Sequence, residues 1–115
     1  MATQKQLDKV YMQNAINMAT LSHAVRKKVG CILVTPENLQ IGAYNGQPSG
    51  WDNCCEDVHE TEPFEYLVTK NTVIHAELNA ILNYRGSKKD LEDAKIYVDL
   101  FPCNECAKII IQSGI

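Results

Sequence analysis

His75 and Glu77 stand two positions apart, and a segment beginning 25 residues after Glu77 reads Pro102-Cys103-Asn104-Glu105-Cys106. One imidazole and two thiolates suit Zn²⁺. Three protein ligands beside a carboxylate that is not a ligand leave a coordination place for water, whereas structural zinc sites close with four. That is the inventory of a metal-assisted hydrolase. Taken singly, Cys-x-x-Cys serves as well for a redox pair or half of a zinc knuckle, and His-x-Glu carries almost no information. Their combination, each half at the expected start of a helix, is what points to catalysis.

Two helices must hold these groups. From Ile74 to about Arg85, Leu78, Ile81 and Leu82 recur at helical intervals with alanines at 76 and 80, so His75 and Glu77 fall in the first turn. Asn104 to about Ser113 reads as a second helix, with Cys106, Ile109 and Ile110 on one face and Pro102-Cys103 marking its start. Unpaired N–H groups at a helix start favour the thiolate form, which zinc requires, at Cys103 and Cys106.

The remaining pattern supplies a scaffold. From about Thr3 to Leu21, Leu7, Tyr11, Ala15 and Met18 form the apolar stripe of an amphipathic helix, and Met12 and Met18 need no ligand role. Val29 to Thr35 is a β-branched run closed by Pro36 and Asn38; with Leu39 to Tyr44 it reads as a hairpin, Cys31 being a small buried hydrophobe at its middle. Lys95 to Leu100 is a third strand leading into the Pro102 turn. The order helix, two strands, helix, strand, helix predicts an α/β protein in three α/β/α layers, with a mixed sheet between helices on both faces.

Composition narrows the partners. The chain of 115 residues, 45% hydrophobic, is sized for one domain over residues 1–115, and no linker, repeat or low-complexity run divides it. Fourteen acidic against eleven basic residues leave a net charge of −3, which does not provide the positive field that grips a polynucleotide. A free nucleotide fits better. Arg26, Lys27 and Lys28 do cluster between the first helix and first strand: either a solvated turn, or a clamp on a single phosphate through charge-assisted hydrogen bonds. No basic segment followed by an apolar stretch opens the chain, and no window approaches about 18 apolar residues, so no signal peptide or membrane span is expected and the setting is cytoplasmic. Five cysteines, an odd number with two of them in the metal motif, argue against a disulfide framework.

The pairing of H-x-E with P-C-x-x-C is the signature of zinc deaminases, in which the glutamate moves protons and does not bind metal. The stretches Ile74–Leu82 (IHAELNAIL), Phe101–Ile115 (FPCNECAKIIIQSGI) and Tyr44–Pro48 (YNGQP) resemble the deoxycytidylate (dCMP) deaminases of the cytidine deaminase superfamily, and Asn53-Cys54-Cys55 is similar to their phage branch. The resemblance implies a cytidine deaminase-like fold, Zn²⁺ on His75, Cys103 and Cys106, Glu77 as catalytic acid and base, and deamination of dCMP to dUMP for thymidylate synthesis. If the source is viral, the cytoplasm is the host's. Members of that family continue past the segment like Gln112–Ile115 with a further strand, helix and strand, so the C-terminal part of the fold is expected to be missing from this chain.

Further implications attach to single residues. Asn45 resembles the asparagine that holds the sugar hydroxyl, the plain alternative being a turn residue in Asn-Gly. Ser22 matches a family serine, or is an unpartnered serine at a helix end. Phe101 packs on the base or fills core space, and Arg26 and Lys28 join the substrate set as the phosphate clamp. Cys54, Cys55 and His59 stand where phage relatives carry a second, structural zinc, in a loop shorter than theirs; His23 reads as a surface residue near a helix end. The family's Gly-Tyr-Asn-Gly motif, associated with activation by dCTP and inhibition by dTTP, appears as Ala43-Tyr44-Asn45-Gly46, which puts those effectors in doubt if close backbone approach needs the glycine. Asp99 replaces the small or hydroxyl residue usual before the zinc turn. A homo-oligomer is implied, the family being commonly hexameric, with Trp51 available to an interface. Competing readings are deamination of dCTP, free cytidine or deoxycytidine, or tRNA adenosine, and a non-catalytic zinc module whose site a fourth ligand such as Cys54 would close.

Overall fold

The computed structural model describes residues 1–115. Helix α1 (Gln4–Ala19) starts at Thr3, whose hydroxyl accepts the Gln6 N–H while the Gln6 side chain accepts the Thr3 N–H, a reciprocal cap that satisfies two otherwise orphaned donors. Tyr11, Ala15 and Ala19, four residues apart, are its buried line, with Leu7 and Met18 packed alongside.

Strands β1 (Gly30–Val34) and β2 (Gln40–Tyr44) form the expected hairpin, turned at Asn38, whose φ of 66° lies in the left-handed region an asparagine tolerates. Strand β5 (Lys95–Val98) pairs with the other edge of β1, giving the order β2-β1-β5. All of these pairings are antiparallel, so the parallel component expected of a mixed sheet is not among these strands. The α/β/α layering is present. Because side chains alternate across a strand, central β1 serves two cores at once: Cys31 and Leu33 meet Ala76 and Ala80 of α2 (Ala76–Asn83), while Ile32 and Val34 meet Tyr11 and Ala15 of α1. Burial on both faces explains why β1 reads as an unbroken apolar run. Helix α3 (Asn104–Gln112) packs beside α2.

Close approach of α1 to the sheet depends on Gly30. A Cβ there would land on the Ala15 carbonyl oxygen and the Ala19 amide nitrogen, both backbone. Asp99 now has a role: its Oδ1 accepts the Gly30 N–H at 2.9 Å while its own N–H donates to the Gly30 carbonyl at 3.3 Å, tying the end of β5 to the start of β1.

A further element, absent from the pattern-based expectation, lies between β2 and α2. Strands β3 (Glu56–Thr61) and β4 (Phe64–Thr69) form a second antiparallel hairpin that packs against none of the other helices and strands. Its residues past Glu56 are exposed until half-buried Val68 and Thr69. A short 3₁₀ turn, Lys88–Leu91, leads into β5 and buries Leu91 in the α2 side of the core. No helix is long and apolar enough to cross a membrane.

Candidate metal centre and active site

His75 is the N-cap of α2 and Cys103 the N-cap of α3, with Cys106 one turn inside α3. Neither cap side chain bonds its own helix, so both are free to face each other across the two helix starts. The His75 Nδ1 lies 3.4 Å from Cys103 Sγ and 3.3 Å from Cys106 Sγ, and the three ligand atoms all fall within 4.8 Å of one another. Thiolate and imidazole donors at this mutual spacing fit Zn²⁺, whose bonds to sulfur and nitrogen run about 2.0–2.3 Å.

Local pairing holds His75 in place. Gly46 and Ile74 exchange backbone hydrogen bonds of 3.1 and 2.8 Å, which joins the residue before His75 to the residue after Asn45. Farther along α2, the Asn79 amide donates to the Tyr44 carbonyl at 2.9 Å. The first turn of α2 is thus pinned to the end of β2.

Glu77 is only 3% exposed. The structure's two ion pairs, Lys70–Asp57 and Lys108–Glu105, leave it without a cationic partner. Burial first, and then the Glu77 carboxylate, push the Cys106 thiol up, with Cys103 adding to the effect. Removal from water and a neighbouring negative group both disfavour the thiolate of Cys106 in the metal-free protein. A buried thiol, a second sulfur and a carboxylate with no positive group among them form a site that a divalent cation neutralises.

A cavity of about 220 Å³ opens on this group, with His75, Ala76, Glu77 and Cys103 in its lining. Asn45, Lys27, Thr69 and Phe101 line it as well. Of the expected substrate residues, Asn45 faces the cavity with its amide already engaged: Oδ1 accepts the Val29 N–H at 2.9 Å and Nδ2 donates to the Lys27 carbonyl at 2.8 Å. Phe101 is 92% exposed, so it fills no core space. Ser22 does not line the cavity and is not unpartnered; its buried hydroxyl donates to the Asn45 carbonyl and accepts the Ala24 N–H. Arg26 and Lys28 are exposed and also outside the cavity. The lining cation is Lys27, the middle of the basic run, which charge pattern alone could not single out from its neighbours.

The structure does not gather Cys54, Cys55 and His59. His75, Cys103 and Cys106 form the sole group of three or more metal-ligand side chains with donor atoms within 4.8 Å. Cys54 Sγ donates to the Glu56 carbonyl at 3.2 Å, Cys55 is buried with its thiol pushed up by burial and then by Glu56, and His59 tilts against Tyr66 across the β3–β4 pair. Cys54 and Cys55 precede β3 while His59 lies within it, and Cys54 is not among the donors of the first site. Ala43, where effector approach was in question, is buried in the core against α2.

An α/β/α fold with two helix starts converging on one imidazole and two thiols defines a domain with a three-donor site for zinc. Residues 5–115 match the family described as the cytidine and deoxycytidylate deaminase zinc-binding region, and the chain belongs to that family. Human deoxycytidylate deaminase is 41% identical over 109 residues, covering 91% of this chain and 58% of the human protein. The deoxycytidylate deaminase of Enterobacteria phage T4 is 32% identical over 122 residues, covering 76% of this chain and 63% of the phage protein. The chain therefore spans about three-fifths of the length of these relatives. A crystal structure of the dCMP deaminase of cyanophage S-TIM5, in complex with dCMP and dUMP, superimposes with a TM-score of 0.81 at 30% identity, over 99% of this chain and 79% of that one.

Proposed function

We propose that this protein is a deaminase that hydrolyses dCMP to dUMP and ammonia with zinc held by His75, Cys103 and Cys106. The observation that carries the reading is a buried carboxylate, Glu77, beside a three-donor metal group at a small cavity that Lys27 also lines. At about 220 Å³ the cavity is smaller than the ~300–1,000 Å³ of drug-sized pockets, which suits one pyrimidine ring with its sugar and phosphate toward the mouth. Relatives of phage and human origin named for dCMP support the same substrate.

When bound, Zn²⁺ makes hydroxide available at neutral pH by lowering the pKa of water from about 15.7 toward about 7. Glu77 takes the proton of the attacking water and delivers it to N3 of the cytosine, which makes C4 electrophilic. The water oxygen bonds to C4; Glu77, now a carboxylate again, takes the proton left on that oxygen and passes it to the amino nitrogen, the C4–N bond breaks, and ammonia leaves as C4=O forms. Asn45 keeps one lone pair and one N–H beyond its two backbone bonds and offers them to the sugar hydroxyl. Phe101 covers the base, and Lys27 meets the phosphate. Three donors with no fourth protein ligand speak against the closed, non-catalytic zinc module.

The test is the ultraviolet absorbance loss on adding dCMP, dCTP or deoxycytidine in turn to the zinc-loaded protein. Turnover is expected to be fastest with dCMP. Faster turnover of dCTP or deoxycytidine would overturn the substrate assignment, and no loss with any of them would overturn the activity.

A further inference from the structure

Residues 22–29, which carry Lys27 to the cavity, contain no helix or strand, yet their backbone is held by three side chains from outside the basic run. At one end the Ser22 hydroxyl joins Ala24 to the Asn45 carbonyl, and at the other the Asn45 amide bridges Lys27 and Val29. The middle is gripped from the second hairpin. Glu56, 8% exposed, turns its carboxylate onto two consecutive backbone N–H groups, accepting from Val25 at 3.0 Å and from Arg26 at 3.0 Å through the same oxygen, with the other oxygen 3.3 Å from the Val25 nitrogen.

We propose that Glu56 is a positioning residue for phosphate recognition: it clasps the Val25–Arg26 backbone so that Lys27, the next residue, is presented to the nucleotide phosphate at the cavity rim. Glu56 does not line the cavity and touches no ligand. Its own position is set by the sheet pairing of Glu56 with Thr69 and by the Cys54 thiol on its carbonyl, so the hairpin's base acts as the anchor of the loop. A carboxylate receiving two main-chain N–H groups is among the stronger neutral-donor arrangements, since the acceptor is charged. Without it the loop samples other geometries, and apparent affinity falls by the fraction of time the docked one is held.

This inference rests on the proposed dCMP activity and on Lys27 as its phosphate contact. Glu56→Ala and Glu56→Gln are compared with the parent and with Glu60→Gln, an exposed control on the same strand, using dCMP and deoxycytidine as substrates. KM for dCMP is expected to rise by about tenfold in Glu56→Ala and by less in Glu56→Gln, which keeps one acceptor. kcat at saturating dCMP should fall by less than KM rises, so that preference for dCMP over deoxycytidine shrinks, while Glu60→Gln behaves as the parent. A KM for dCMP within twofold of the parent, or equal losses on the two substrates, would overturn the proposal in favour of a merely structural glutamate. If the parent turns over neither compound, it is the functional reading that has failed. Amide exchange then reads the clasp alone: protection of Val25 and Arg26 in the parent that disappears in Glu56→Ala supports it, and no protection in the parent overturns it.

Discussion

Replacing Glu77 with glutamine changes two oxygens into an oxygen and an amide nitrogen in nearly the same volume, at a position 3% exposed. Both proton transfers of the proposed reaction pass through this one side chain, so a group that cannot exchange protons removes both. Positioned acids and bases contribute about 10²- to 10⁴-fold, and each tenfold is about 1.36 kcal/mol, so the barrier should rise by about 2.7–5.4 kcal/mol. Folding should not suffer, because Glu77 makes no ion pair that the amide would break. Removing a buried carboxylate beside two sulfurs lifts a desolvation cost, so the melting temperature of the metal-free variant should be no lower than the parent's. Zinc per chain should also be unchanged, since the ligands are His75, Cys103 and Cys106. The assay pairs single-turnover absorbance loss on dCMP with zinc analysis by atomic emission. A rate within tenfold of the parent would refute the role given to Glu77. Loss of zinc together with activity would show that the carboxylate holds metal instead.

Three further outcomes follow from the geometry. Cys106→Ser should lose zinc and the stabilisation that added zinc confers on the parent in thermal melts, about 4 kcal/mol at a thousandfold excess over Kd; because the Cys106 thiol is raised in the metal-free protein, zinc uptake should release protons and weaken as pH falls. Gly30→Ala should cost at least the ~1–3 kcal/mol of ordinary overpacking, since the new methyl meets backbone of α1 and not a movable side chain, whereas Gly46→Ala, with nothing within 4 Å of its Cβ, should change the denaturation midpoint little. Burial, and then Glu77 and Asp99, raise the Cys31 thiol from 9.0 to about 12. A group whose folded pKa is raised stabilises below its unfolded pKa and loses that contribution as pH climbs toward the folded value, so Cys31 alone should cost about 1.4 kcal/mol between pH 8 and pH 10. Urea titrations of the metal-free protein at the two pH values should show the decline, and Cys31→Ala should lessen it by that amount, leaving the share of the raised Cys55 and Cys106 thiols; an equal slope in the variant would rule out Cys31 as a cause.

Much of the scaffold was legible because its signals are periodic and local. The α1 stripe, the unbroken run of β1 and the alanines of α2 each record one surface buried against another, and the observed ends lie within two residues of those read from the pattern. The second hairpin was not legible for a physical reason: it packs against none of the other helices and strands, so no apolar face had to be written into it, and its glutamates and His59 read as an acidic, metal-like loop. Even so, Val58, Phe64, Tyr66 and Val68 around Glu62-Pro63 are strand-forming types. The burial and the proximity of Glu77 that raise the Cys106 thiol in the metal-free protein are properties of three dimensions. Asp99, unexplained as a residue type, became intelligible once β1 and β5 were seen to meet at Gly30.

By itself the sequence determined the chemistry on offer: one imidazole, two thiols and one carboxylate at two helix starts, a combination whose ligand types and spacing admit few uses besides zinc. Tertiary structure alone decided which side chains share a space. Packing α2 and α3 side by side brought the sulfurs to within 3.4 Å of His75, although 28 and 31 residues separate them along the chain. It selected Lys27 from three adjacent cations, and it set Glu56 of a distant hairpin onto the loop that bears it. Residue type is local and is written directly in the chain, whereas orientation and burial arise only when elements far apart in sequence close on one another.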